Sequence, residues 1–134
     1  MAVLRDETLL IRSSEDIVRV RRLVRERAVA QGFTLVDQTK IITAASELAR
    51  NALSYGGGGH VKLEELNDAT RRGIRLTFTD EGPGIPDIEK ALTDGYTTGT
   101  GLGLGLSGAR RLSSEFEIFS RPGEGTRVII TRWR

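Results

Sequence analysis

The chain has 134 residues, and its 20 basic and 18 acidic side chains leave a formal net charge of only +2. This length favours one domain, spanning residues 1–134. The absence of cysteine excludes disulfides and thiolate metal sites. The N-terminal residues lack the pattern of a signal peptide, and no apolar run has the roughly 18 residues of a membrane span. We therefore expect a cytoplasmic protein without membrane contact.

The densest basic group lies on the first predicted helix. Aromatic residues make up 5% of the chain, and no recognition motif accompanies the arginines, so we expect no nucleic-acid binding. A solvated helix face is the simpler interpretation, and a surface that docks an acidic protein partner is the second. The group consists of Arg19, Arg21, Arg22, Arg25 and Arg27.

The first half of the chain predicts a short strand and two helices. Residues 8–12 are typical of a strand. Ser13, with Asp16 three residues later, has capping-box spacing at the start of a helix that ends near Gly32. A second helix is predicted over residues 35–55, because apolar residues recur there at helical spacing. Its inward stripe consists of Ile41, Ala44, Ala45, Leu48 and Ala52.

A hairpin is predicted next, with strands at residues 60–66 and 73–80 joined by a polar turn. In the second strand, Asp80 falls on the same face as the apolar residues at positions 74, 76 and 78, because side chains alternate with a period of two. This places a carboxylate on the core side of the strand end, a costly position unless another group pairs with it.

Residues 81–105 are rich in glycine, proline and threonine, which favours a functional lid over an idle loop. A short helix is predicted at 88–92 and a third main helix from about Leu104. Two closing strands, at 115–120 and 126–133, are joined by a turn. Helices and hairpins that alternate in this way predict an α+β two-layer sandwich.

Glu47 and Asn51 are the first candidate site residues. Four residues apart on one helix, they project from the same side, at the edge of the apolar stripe. A carboxylate can take a proton from an attacking hydroxyl, and an asparagine carbonyl is a hard oxygen donor suited to Mg²⁺. Taken alone, the pair is more simply an exposed helix surface.

The second candidate segment runs from Asp80 to Ile85. A carboxylate at a strand end can accept a hydrogen bond from an exocyclic amine such as that of adenine. Gly82 and Gly84 would let the backbone pass close to a flat ring. The simpler alternative is an ordinary turn, but the core-side position of Asp80 favours a binding role.

The third candidate segment is a glycine-rich run that leads directly into a predicted helix. Its backbone N–H groups and the helix N-terminus would together cradle a triphosphate. The spacing of Gly103, Gly105 and Gly108 also matches a dinucleotide fingerprint, but no βαβ unit surrounds it. The proposed cradle consists of Gly99, Thr100, Gly101, Leu102, Gly103, Leu104 and Gly105.

In this order, the three segments resemble the three nucleotide-binding boxes of the Bergerat-fold ATPases, which include gyrase B and the histidine kinases. The resemblance implies a mixed, mostly antiparallel sheet with helices on one face and a glycine-rich ATP lid. It also implies that ATP and Mg²⁺ are bound, with Thr126 contacting adenine through water. Within this group the chain is similar to the small bacterial anti-sigma-factor serine/threonine kinases, above all the stressosome switch kinases. The segments that carry this likeness are residues 37–38, 43–51, 80–88 and 95–98.

That resemblance implies a role for each candidate: Glu47 as catalytic base, Asn51 as Mg²⁺ ligand and Asp80 as the adenine-binding carboxylate. It also implies phosphorylation of a STAS-domain partner protein, which frees the kinase to activate a PP2C-type phosphatase. Direct binding of a sigma factor varies within the family. Two other functions stay open. One is a nucleotide-gated partner-switching or anti-sigma module that needs no phosphotransfer, and the other is the detached catalytic domain of a histidine kinase.

Overall fold

The computed structural model describes residues 1–93 and 106–134. Within these ranges, five strands form one sheet in the order β1-β2-β3-β5-β4. The strands are β1 (Ala2–Ile11), β2 (Gly59–Asp68), β3 (Arg71–Asp80), β4 (Glu115–Ser120) and β5 (Thr126–Trp133). The helices are α1 (Ser14–Ala30), α2 (Leu35–Ser54), α3 (Ile88–Ala91) and α4 (Leu106–Arg111).

All four strand pairings in the described residues are antiparallel, where a mixed, mostly antiparallel sheet was predicted. The antiparallel pairing arises because the chain crosses from β3 to the far edge, forms β4, and returns through a hairpin that places β5 between them. In the resulting register, Asp80 at the end of β3 pairs with Gly59 on one side and with Thr126 on the other. The sheet therefore brings the predicted adenine carboxylate beside the predicted adenine threonine.

The helical layer covers one face of the sheet, as predicted. The α2 helix lies at its centre, and its five predicted stripe residues are all buried. The β3 residues Ile74, Leu76 and Phe78 are buried opposite them, which confirms the predicted period of two. Burying these apolar side chains stabilises each of them by about 1.5–3 kcal/mol relative to exposure.

The helix start at Ser13 matches the sequence prediction. The Asp16 carboxylate accepts hydrogen bonds from the backbone N–H groups of Arg12 at 2.8 Å and Ser13 at 3.2 Å. These bonds satisfy donors at the chain's entry into α1 and favour the ionised acid, which lowers the pKa of Asp16. Within the described residues, no helix is both long and apolar enough to cross a membrane.

The first strand is longer than predicted, because it begins at Ala2 rather than at residue 8. Pairing with β2, interrupted by a register shift at Leu4, extends it through the charged residues Arg5, Asp6 and Glu7. The predicted start of the third main helix, near Leu104, lies outside the described residues. Inside them, α4 begins at Leu106.

One guanidinium ties both layers together at the end of the molecule where α2 begins. Arg132 of β5 donates to the Asp37 carboxylate at 2.7 Å and to the carbonyl of Leu112 at 3.0 Å. Asp37 lies in the first turn of α2, and Leu112 directly follows α4. This clamp therefore joins the start of α2 to the end of α4.

Candidate nucleotide site

A narrow apolar cavity with a few polar groups lies between α2 and the start of α4. The C-terminal end of β3 and the N-terminal end of β5 form the rest of its wall. Four of its lining residues were predicted as ligand contacts, namely Asn51, Asp80, Ile85 and Thr126. Small-molecule sites combine such an apolar lining with a few converging polar groups, but this cavity, at about 20 Å³, must widen before it can admit a nucleobase. The remaining lining residues are Leu48, Ala52, Tyr55, Phe78, Leu106 and Val128.

Asp80 is half-buried at the cavity wall, and its carboxylate accepts a hydrogen bond from the backbone N–H of Gly82 at 3.0 Å. Burial raises the pKa of Asp80 above its ordinary value of 3.8, although backbone hydrogen bonds from Gly82 and Thr126 partly oppose this shift. A carboxylate that lacks full solvation gains from a further donor. The exocyclic amine of a nucleobase is such a donor.

Gly56 and Gly82 allow the backbone to close around Asp80. A Cβ on Gly56 would overlap the Asp80 side chain, and a Cβ on Gly82 would meet the backbone of Gly56 at 2.5 Å. Gly84 adopts a φ of +79° and packs against the carbonyl of Arg121. The structure thus explains Gly82 and Gly84 by backbone packing, and their contact with an adenine ring stays a prediction.

A chain of hydroxyl groups fixes the far wall of the cavity. The Ser120 hydroxyl lies 2.9 Å from the carbonyl of Gly125 and 2.7 Å from the Thr126 hydroxyl, and it accepts a bond from the backbone N–H of Ile85 at 2.7 Å. If Ser120 donates its one proton to Gly125, Thr126 must donate to Ser120. The Thr126 oxygen is then left as an acceptor, suited to a water or an amine at the cavity.

Asn51 lines the same cavity from α2, and its Nδ2 atom is buried without a hydrogen-bond partner. Buried polar groups are normally paired, so an unpaired amide at a cavity wall indicates a partner within the cavity, either a water or a ligand. The two ends of an asparagine amide are nearly indistinguishable in outline, so either atom can take this position. This side chain fits the predicted Mg²⁺ role, since Mg²⁺ commonly takes few protein oxygens and completes its shell with phosphates and water.

Glu47 lies one helical turn before Asn51 and does not line the cavity. Its Oε1 atom accepts a hydrogen bond from the Nη1 of Arg50 at 2.7 Å, and its side chain is 36% exposed. The structure thus brings Asn51, Asp80 and Thr126 together, with Glu47 at the edge of the group. Its role as catalytic base stays a prediction.

The proposed phosphate cradle, residues 99–105, lies outside the described residues. His60 lies exposed in β2. Four of the five helix arginines are exposed, as a solvated face requires, and Arg27 instead pairs with Glu7 at 2.9 Å and Glu65 at 3.5 Å.

Sequence reasoning missed three residues that shape the site. Tyr55 donates its hydroxyl to the carbonyl of Gly84 at 2.9 Å, Gly56 makes room for Asp80, and Ser120 organises the hydroxyl chain. A serine at the inward position of a strand end was a usable signal for Ser120. The Gly56–Asp80 contact joins two elements far apart in sequence, and only the sheet register reveals it.

The fold and this site define a class of nucleotide-binding protein. Residues 36–133 match the family described as histidine kinase-, DNA gyrase B-, and HSP90-like ATPases, and the chain belongs to that family. Because the match covers most of the chain, the predicted Bergerat-type α+β fold is confirmed.

Among individual proteins, the serine/threonine-protein kinase RsbT of Bacillus subtilis is 47% identical over 118 residues, covering 88% of this chain and 89% of that protein. This similarity confirms the predicted class of enzyme, a serine/threonine-protein kinase. The anti-sigma F factor of Bacillus licheniformis is 34% identical over 107 residues, covering 74% of this chain and 71% of that factor.

Two solved structures share the fold. One holds the RsbU and RsbW domains of a Mycobacterium tuberculosis protein, with a TM-score of 0.68 and 23% identity. It aligns over 97% of this chain, which spans about a third (33%) of that longer chain. The other is the catalytic domain of the histidine kinase ThkA, with a TM-score of 0.56 and 22% identity over 97% of this chain and 98% of that domain.

Proposed function

We propose that the chain is a Mg·ATP-dependent kinase that phosphorylates a serine or threonine on a STAS-domain partner protein. The carrying observation is the cavity that joins a half-buried carboxylate, Asp80, to an orphaned buried amide, Asn51. This pairing suits a ligand with a base that donates hydrogen bonds at one end and metal-bound phosphates at the other. The kinase named among the relatives supports the same activity.

Each residue then has a distinct task. Asp80 and the Thr126 hydroxyl hold the adenine amine, directly and through water, and Ile85 covers the ring. Asn51 holds Mg²⁺, which when bound neutralises phosphate charge. The glycine-rich run at 99–105 is assigned to the triphosphate. Most of the rate enhancement comes from this positioning and charge neutralisation.

Glu47 supplies the proton chemistry at the acceptor. As the acceptor oxygen forms its bond to the terminal phosphorus, the bond from that phosphorus to the bridging oxygen breaks and ADP leaves with the electron pair. The hydroxyl proton passes to the Glu47 carboxylate. Glu47 can reach an incoming protein because its side chain is 36% exposed.

The relatives and the family resemblance support a regulatory role. Relatives named as anti-sigma F factors support a role in partner switching. We propose that phosphorylation of the STAS-domain protein releases the kinase, which then activates a PP2C-type phosphatase in the cytoplasm.

Incubation with labelled Mg·ATP and a STAS-domain protein tests the proposal. An acid-stable phosphoester on the partner is the expected product. An acid-labile phosphohistidine would instead indicate the catalytic domain of a histidine kinase.

A second candidate function is a nucleotide-gated binding module that captures or releases a partner without phosphotransfer. The observation that favours it is the placement of Glu47 outside the cavity, paired with Arg50. In that case, partner binding would depend on nucleotide, and no phosphate would be transferred.

A further inference from the structure

The proposed mechanism uses Glu47 but gives no role to the ion pair between Glu47 and Arg50. Arg50 Nη1 donates to Glu47 Oε1 at 2.7 Å, and the two side chains are 53% and 36% exposed. Exposed pairs of this kind contribute only about 0–1 kcal/mol to stability. Its value for the fold is therefore small.

The pair leaves one carboxylate oxygen available. Among the described residues, Oε1 is the Glu47 atom that accepts a hydrogen bond, and Arg50 is the donor. An ionised carboxylate has lone pairs on both oxygens, so Oε2 can still accept a proton from a hydroxyl. A guanidinium is planar and donates in a fixed geometry, so it restricts the carboxylate more than a flexible ammonium does.

The helix turn that carries Glu47 is anchored, so restricting the side chain also fixes the position of the carboxylate. Leu48, Ala49 and Ala52 are buried on the opposite side of the turn, so the backbone under Glu47 is fixed by core packing. The remaining freedom of Glu47 lies in its own side-chain rotamers, which an exposed glutamate otherwise samples widely.

We propose that Arg50 is a positioning residue for the reaction. It holds Glu47 by Oε1 and presents Oε2 to the acceptor hydroxyl. This role rests on the proposed function, because it requires Glu47 to be the base. It assigns Arg50 no contact with the nucleotide.

The chain offers a closely matched control. Arg71 and Asp68 form another pair three residues apart, at 2.6 Å, with side chains 48% and 37% exposed. Arg71 begins β3 and Asp80 ends it, so Arg71 lies roughly 30 Å from the cavity at about 3.3 Å per residue. Arg71→Met removes a similar ion pair far from the proposed site, together with the contact of Arg71 with the Trp133 ring at 4.0 Å.

The experiment measures single-turnover phosphate transfer and, separately, Mg·ATP affinity by calorimetry. Arg50→Met should slow transfer by about 10-fold, within the roughly 10²-fold cost of a misplaced group, and leave the ATP dissociation constant unchanged. Arg50→Lys should recover part of the rate, because it restores a donor without the planar geometry. Arg71→Met should match the wild type in both measurements.

A double variant shows whether Arg50 acts through Glu47. In a Glu47→Gln background, Arg50→Met should cause no further loss of rate. An equal loss in both backgrounds, or weaker ATP binding in Arg50→Met, would overturn the proposal, since either means that Arg50 acts elsewhere.

The remaining outcomes separate the two proposals. Normal transfer by Arg50→Met with slow transfer by Glu47→Gln would refute the positioning role and keep the base. Normal transfer by Glu47→Gln would show that Glu47 is not the base. It would therefore also refute the positioning role of Arg50.

Discussion

Two neighbouring parts of α2 are built in different ways. The part around Asn51 faces a cavity whose walls are set by buried side chains and by close backbone contacts, such as those of Gly56 and Gly82. One turn earlier, Glu47 and Arg50 lie at the surface, where they form an ion pair. In the proposed function, packing within the fold sets the position of Asn51, whereas an incoming partner protein completes the surroundings of Glu47.

The largest effect should come from the exposed part. Glu47→Gln keeps the size of the side chain but cannot take the proton, so phosphotransfer should fall by about 10²–10⁴-fold. ATP affinity should change little, because Glu47 does not line the cavity. Asn51→Ala should weaken binding and transfer together. The measurements are single-turnover transfer to the STAS-domain partner and calorimetry with Mg·ATP.

The contrast between the two variants is the critical outcome. If Glu47→Gln weakens ATP binding as strongly as Asn51→Ala does, the two parts of α2 are one site. Near-normal transfer by Glu47→Gln would instead favour the binding-module function.

The next largest effect is expected at the buried cavity that Asn51 and Asp80 line together. Mg·ATP at about 100 times its dissociation constant should stabilise the fold by roughly 2.7 kcal/mol and raise the melting temperature by several degrees. Asp80→Asn should abolish this shift, because it exchanges two charged acceptor oxygens for one neutral acceptor and a donor amide that opposes the adenine amine. The measurement is thermal unfolding with and without ligand. If ATP still stabilises Asp80→Asn as much as the wild type, adenine binds elsewhere.

The pKa of Asp80 gives this prediction a pH dependence. Because burial raises its pKa in the folded state, the ionised carboxylate costs stability at neutral pH, and the cost disappears as the pH falls through that raised pKa. The ligand-free Asp80→Asn variant should therefore be at least as stable as the wild type at pH 7, and its advantage should shrink in acid. ATP affinity of the wild type should decline over the same acidic range.

The sequence was sufficient to predict features that depend on the local spacing of apolar residues and on residue type. It placed Asp80 on the core side of a strand end and gave the bounds of β4 and β5 as observed. It missed the N-terminal half of β1, because that segment is charged and is held as a strand by its pairing with β2. It also missed contacts such as Arg132 with Asp37, which lie 95 residues apart, because no local pattern encodes them.

A smaller effect tests the backbone around Asp80. Gly56→Ala places a methyl group against the Asp80 side chain, so the carboxylate must shift, at a cost of about 1–3 kcal/mol in overpacking. ATP binding should weaken although Gly56 does not line the cavity. Thermal unfolding and calorimetry measure the two effects.

Gly108→Ala is the matched control for Gly56→Ala. A Cβ there meets nothing within 4 Å, and alanine favours a helix over glycine by about 0.5–1 kcal/mol. It should be neutral or stabilising. Normal ATP binding by Gly56→Ala would show that the position of Asp80 is not critical.

The smallest effect lies at the start of α2, remote from both parts. The hydrogen bond from Arg132 holds the pKa of Asp37 below its ordinary value of 3.8, so the pair stabilises the fold above that pH and the contribution is lost as the pH falls through the lowered pKa. Asp37→Asn should cost at most about 1 kcal/mol at pH 7, as for other partly exposed pairs, and almost nothing near pH 2. Because Asp37 precedes Asn51 by about 20 Å along the helix at 1.5 Å per residue, ATP affinity should stay within about twofold. Chemical denaturation across this pH range measures the first effect and calorimetry the second. A stability difference that persists unchanged into acid would mean that Asp37 acts through packing. A large loss of ATP affinity would mean that the contact between Asp37 and Arg132 helps to position the residues around the cavity.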